Sequence, residues 1–130
     1  MYYIVSKEVN KVNDSAISRD LIRGHIDTII LRVLLEEGDN YGYEIMKSIS
    51  SISQGRYELK EPSLYTSLKR LEAQKLIESY WGEDRSLGGR RKYYHVTPAG
   101  AEVYKANLAA WKFSREIIDV LIEKQEGSPS

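Results

Sequence analysis

The sequence predicts an α+β fold, mainly α, in the order helix, helix, helix, hairpin, helix. Three observations carry that expectation. Apolar residues recur at helical spacing from Leu21 to Leu34, from Ile45 to Ile52 and from Leu64 to Leu71. Two aromatic-rich runs, "LIESYW" and "RKYYHV", flank a polar stretch with the pair Gly88-Gly89, as two strands and their reversal would. A last apolar stripe beyond Thr97 is long enough for one extended helix.

Each element has local reasons. Residues 1–16 are polar after Tyr2, Tyr3 and Ile4 and read as a flexible arm. The first helix is expected from Ser18, a plausible N-cap, and stops at Gly38, whose missing Cβ tolerates positive φ. "DNYGYEIMKSISSIS" carries the second helix, ended by Gln54-Gly55, and "RYELK" is an edge strand or coil. Glu61-Pro62 opens the third, because proline loses nothing at a first helical position. There Leu64, Leu68 and Leu71 face inward with Tyr65 at their border. Ser63, Thr66, Ser67 and Arg70 fall opposite, with Lys69 beside them. Thr97 caps the last helix with Pro98 at its first position, and the helix runs to about Lys124.

Composition bounds the function. A chain of 130 residues, 42% hydrophobic, is one domain with a modest core. It has no cysteine, so disulfides, thiolate metal sites and cysteine nucleophiles are excluded. Arg32 interrupts the best apolar run, "IDTIILRVLL", and no membrane span is expected. The start lacks the order of a secretory signal, and a cytoplasmic location follows as an expectation. His25 and His95 are unpaired at metal-ligand spacing, so no metal and no cofactor is expected. No P-loop, no G-x-S-x-G and no defined carboxylate pair is present, which argues against an enzyme. With 19 basic and 19 acidic residues the net charge is zero, and any nucleic-acid role must rest on local charge.

That local charge exists. Arg85, Arg90, Arg91 and Lys92 load the hairpin, and the third helix carries short hydroxyls where long charged chains are usual. A small-faced helix followed by a basic hairpin is the winged helix-turn-helix arrangement. The helix would enter the major groove, with Ser63, Thr66, Ser67 and Arg70 approaching base edges, while the wing contacts phosphates. The expected organisation is an arm over 1–16, a winged helix-turn-helix domain over 17–97, a dimerisation helix over 98–125 and a disordered tail over 126–130. The competing class is a winged-helix protein-interaction module without specific DNA binding. A third is a ligand carrier without an operator. The basic wing argues against both.

"NYGYEI", "EPSLYTSLKRLEAQKLIESYW" and "GGRRKYYHVTPAG", in this order across roughly residues 21–104, closely resemble the PadR family of bacterial transcriptional regulators. The resemblance implies that Ser63, Leu64, Tyr65, Thr66 and Lys69 lie on or beside a recognition helix. It implies equally that Gly89, Arg90, Arg91 and Lys92 form the wing, with the Tyr65 hydroxyl toward a phosphate. Double-stranded operator DNA is then the expected partner.

The final helix points to a second copy of the chain. Tyr104, Leu108, Trp111, Ile118 and Ile122 form a near-heptad stripe broken by Arg115, and Val103, Ala110, Phe113, Ile117 and Leu121 widen it. A homodimer reading a two-fold symmetric site is the simplest cover. "LAAWKFSREII" is similar to the C-terminal stretch of the short subgroup whose dimers bind flat, apolar drugs between paired tryptophans. That resemblance assigns Trp111 to ligand binding, beside its plainer reading as an interface aromatic. Arg115 stands where drug-binding relatives can carry an acid, which counts against cationic compounds.

Overall fold

The structure, a computed structural model, describes residues 17–86 and 89–124. The expected arm over 1–16, the Ser18 side chain, Gly88 and the tail over 126–130 lie outside the described residues. The elements are α1 (Ile17–Arg23), α2 (Ile26–Glu37), β1 (Asn40–Tyr41), α3 (Gly42–Ile52), α4 (Glu61–Ala73), β2 (Ile77–Ser86), β3 (Gly89–Val96) and α5 (Pro98–Ile122). "RYELK" is coil, with Leu59 tucked into the core.

The single first helix expected from the sequence is two. The chain turns at Gly24-His25, where the His25 N–H is bonded to the Ile22 carbonyl at 2.7 Å. Glycine is a poor helix interior residue, and here its cost is avoided by breaking the helix. Downstream the stop signals operate as anticipated. Gly38 has φ +90 and donates its N–H to the Leu34 carbonyl, and Gln54 and Gly55 both take positive φ after α3.

The core lies where α2, α3 and α4 meet the sheet. Ile30, Leu31, Val33, Ile45, Leu64, Leu68, Leu71 and Ile77 are almost wholly withdrawn from water. Burying side chains of this size stabilises by about 1.5–3 kcal/mol each before the entropy of ordering them is counted. The antiparallel sheet has the order β1-β3-β2, with Tyr41 opposite Tyr93, Tyr80 opposite Tyr93 and Ile77 opposite Val96. The two-residue strand β1, absent from the sequence reading, therefore makes β3 central.

Thr97 secures the start of α5. Its hydroxyl contacts the Lys75 and Leu76 carbonyls at 2.9 and 3.1 Å and accepts the Gly100 N–H at 3.0 Å. Val103 and Tyr104 pack on the core, whereas every residue from Ala109 to Lys124 is exposed.

Candidate nucleic-acid interface

Helix α4 is oriented by its apolar side. Leu64, Leu68 and Leu71 are at most 1% exposed, which turns Ser63, Tyr65, Thr66 and Lys69 outward. No side chain caps its N-terminus, where Lys60 occupies the cap position and Pro62 the first turn. Glu61 stands in that first turn, where the positive end of the helix dipole favours its charge. Across from this face stands the wing. Tyr65, Thr66, Lys69, Glu72, Lys92 and Tyr94 are among the residues lining one cleft of about 290 Å³. Two hydroxyls of α4 thus share a concavity with Lys69, Lys92 and one acid, Glu72, whose carboxylate accepts the Ser79 hydroxyl at 2.6 Å.

The wing strands divide by pleat. On β3, Lys92 and the buried Tyr94 face α4, while Arg91, Tyr93 and His95 face away. The Arg91 guanidinium lies 4.6 Å from the centre of the Tyr41 ring. Tyr93 stacks on Tyr80 with centroids 5.8 Å apart and meets Tyr41 edge-on at 5.5 Å. Asp39 finishes this outer face, receiving the Tyr80 hydroxyl at 2.7 Å and bonding His95 Nδ1 at 2.9 Å. Burial pushes the Asp39 carboxyl upward, but the bonds from His95 and Tyr80 and the His95 charge outweigh it and hold it below the ordinary carboxylate value. The same bond to Asp39 pushes the Tyr80 hydroxyl up.

Two residues expected at base edges stand elsewhere. Ser67 is 2% exposed, on the side of α4 that the core covers together with Leu64, which faces inward as expected. Arg70 is tied to α2, with Nε and Nη2 each 2.8 Å from an Asp27 carboxylate oxygen. The outward face is narrower than the sequence implied: Ser63, Tyr65, Thr66 and Lys69.

The wing residues differ among themselves. Arg90 donates from Nε to the Gly82 carbonyl at 2.9 Å, across an irregular stretch where the pairing jumps from Trp81–Lys92 to Arg85–Arg90. Part of its donor fork thus holds the wing in shape. The Arg85 backbone sits opposite Arg90, and its side chain lies outside the described residues. Gly89 has φ +99, as a strand starting from a tight reversal requires.

A second concavity lies between α1, α2 and α5. Leu21, Ile22, Ile29, Tyr104, Leu108 and Trp111 form the apolar wall of a groove of about 540 Å³. Trp111 meets His25 edge-on, with centroids 5.0 Å apart. Polar groups cross the groove floor: Arg32 pairs with Glu36 at 3.1 Å, and Asn107 donates to the Thr28 hydroxyl at 2.9 Å. The acid of this groove, Glu36, comes from α2, about three turns along the chain from the His25 that Trp111 meets. Ile118 and Ile122, assigned to the same stripe, are exposed further along α5.

Sequence reasoning missed Asp27, Asp39 and Gly42. The first two matter through partners 43 and 56 residues away, which no local pattern encodes. Gly42 lies inside "NYGYEI" and is buried under Tyr65, where a Cβ would overlap the tyrosine hydroxyl. Among the described residues no group of three or more histidine or acidic side chains is placed to hold a metal ion. No described helix is long and apolar enough to cross a membrane.

Residues 30–106 match the model of the transcriptional regulator PadR-like family. An uncharacterised protein of Lysinibacillus sphaericus is 45% identical over 107 residues, which is 82% of this chain and 96% of that one. A transcriptional regulator from Clostridium thermocellum has a similar structure, with a TM-score of 0.73 at 41% identity over 80% of this chain and 99% of its own. A padr family transcriptional regulator from Eggerthella lenta superposes with a TM-score of 0.74 at 30% identity, covering 85% and 93%.

Proposed function

Since the chain belongs to the PadR-like family of transcriptional regulators, we propose that it acts as a homodimeric repressor that grips an inverted-repeat operator. The observation that carries this reading is the shared cleft of α4 and the wing, which brings Thr66 and Lys69 together with Lys92. In the major groove, Ser63 and Thr66 are short enough to let the helix backbone approach and can bond base edges. Lys69, Lys92, Arg91 and Arg85 supply positive charge for phosphates, with the Tyr65 hydroxyl as a further donor. Arg90 serves the same wing, with its Nε committed to Gly82.

A two-fold pair of such units presents two α4 helices, ideally about 34 Å apart, to successive major-groove faces. The exposed stripe of Ile118 and Ile122 on α5, continuous with Trp111, Leu108 and Tyr104, is the surface through which the copies would join. A flat apolar compound against Trp111 would act at that same junction. The groove volume of about 540 Å³ lies in the range of small-molecule sites. Such a compound relieves repression only if it binds the DNA-incompetent arrangement more tightly than the competent one.

Selection of bound duplexes from a random pool, followed by a salt titration on the recovered duplex, tests the reading. An enriched inverted repeat whose affinity falls steeply with salt is expected, with a shallower slope for the Arg91→Ala, Lys92→Ala double variant. No enrichment, with weak binding only at low salt, would leave a protein-interaction module instead. For the ligand, unchanged affinity of Trp111→Ala for a flat aromatic dye would remove the groove assignment.

A further inference from the structure

Asp27 and Arg70 lie 43 residues apart and join α2 to α4 by a two-pronged pair, Nε to Oδ2 and Nη2 to Oδ1, each 2.8 Å. The same Nη2 reaches the Ser67 hydroxyl at 3.1 Å, which holds the arginine against its own helix. An ion pair between two mobile surface chains contributes little, but a planar fork on both carboxylate oxygens fixes orientation as well as distance. Asp27 sits in the first turn of α2, where the helix dipole favours its charge.

The position of the pair matters more than its strength. Leu64, Leu68 and Leu71 fix α4 by apolar contact, which is non-directional and resists a small roll of the helix weakly. Arg70 follows Lys69 directly and lies one turn beyond Thr66, so a roll that breaks the fork swings both of those side chains relative to the wing. The turn of α2 that holds Arg70 also holds α5, because Thr28 accepts from Asn107 at 2.9 Å. One helical turn is thereby the bracket for both α4 and the helix that faces the apolar groove.

We propose that Asp27 and Arg70 are positioning residues for DNA readout: their fork sets the roll of α4, and neither touches DNA. The proposal rests on the DNA-binding reading above. It converts Arg70 from a base-reading candidate into a strut, and gives Asp27 a role equal to that of its partner.

The experiment compares wild type, Asp27→Asn, Arg70→Ala, Arg70→Lys and the Asp27→Asn, Arg70→Ala double variant. Each is titrated with the duplex recovered by selection and with a scrambled duplex over a range of salt. Circular dichroism checks that each variant is folded, and amide exchange across α4 reports its fixation without DNA. Either single loss should reduce discrimination between the duplexes on the order of tenfold, the scale of coupling through one network. The salt slope should stay at the wild-type value, α4 amides should exchange faster, and the double variant should be no worse than the singles. Arg70→Lys keeps the charge without the fork and should lose discrimination too.

Three results overturn the strut. One is a shallower salt slope for Arg70→Ala with wild-type behaviour from Asp27→Asn and Arg70→Lys, which makes Arg70 a phosphate contact. Another is discrimination retained by both single variants. The third is losses that add in the double variant. A wild type that prefers no duplex overturns the DNA-binding reading itself, and the strut with it, which separates the two failures.

Discussion

Gly100 packs its α-carbon against the backbone carbonyl of Leu76 so tightly that a Cβ would overlap the oxygen. The neighbouring atom belongs to the main chain at the α4–β2 connection, where Lys75 already takes φ +62. It cannot swing aside. Gly100→Ala is therefore expected to cost about 1–3 kcal/mol, the range for overpacking a filled site. Urea unfolding measures this, and an unchanged midpoint would show that the start of α5 is looser than described.

Gly42 offers the opposite case. A Cβ there also meets an atom too close for comfort, but the atom is the hydroxyl of Tyr65, a side chain 44% exposed. The ring can move outward, with the buried Leu64 Cδ2 at 3.2 Å giving by only a few tenths of an ångström, so Gly42→Ala should cost less than Gly100→Ala. Its effect belongs to binding: the displaced ring should lower affinity for operator DNA to about the level of Tyr65→Ala. Adding Gly42→Ala to Tyr65→Ala should then change nothing further. A stability loss as large as that of Gly100→Ala would contradict this account.

The acid limb of stability should depend on Asp39. Its native carboxyl titrates below the ordinary value of 3.8. A depressed native pKa contributes stability that is complete above the unfolded-state value and vanishes as pH falls through the native one. The side chain is more than a third exposed, so solvent screening keeps the contribution small. Stability curves of wild type and Asp39→Asn, separate at neutral pH, should converge in strong acid. Curves that stay parallel would mean that the bonds from Tyr80 and His95 do not favour the ionised form.

Self-association should reside in the distal part of α5. Ile118 and Leu121 are 47% and 77% exposed and have no role in the core. Ile118→Asp with Leu121→Asp should shift sedimentation from dimer to monomer, because a charge buried at an apolar interface is costly. The aromatic contact between His25 and Trp111 should survive in the monomer. A variant that still sediments as a dimer would move the interface elsewhere.

Much of this was legible in the residues. The leucine face of α4, the Thr97 cap and the glycine-marked ends of α2 and α3 are local signals of spacing and backbone permissiveness, and they operate at the positions expected. The break at Gly24-His25 was not read, because Leu21, Ile22 and Ile26 keep an apolar period that runs across it. Strand β1 is two residues long and is stabilised by β3, so it has no pattern of its own. The partner of Arg70 was not legible because a helical wheel gives direction but not company. The arginine points away from the leucines, yet Asp27 waits there. Ser67 was misplaced for a related reason: the side of α4 that meets α2 is wider than the leucine stripe alone suggests.

Helix α5 extends for 25 residues, about 37 Å at the usual rise. From Ala109 onward every described residue is exposed and none joins the core, with Trp111 resting its ring on His25. Isolated helical segments of this length are marginal in water, so the distal turns need apolar cover to remain wound. Their winding and the occupancy of their apolar face are then one equilibrium. In the proposed dimer the helical content would therefore fall on dilution, the distal turns unwinding as the partner leaves.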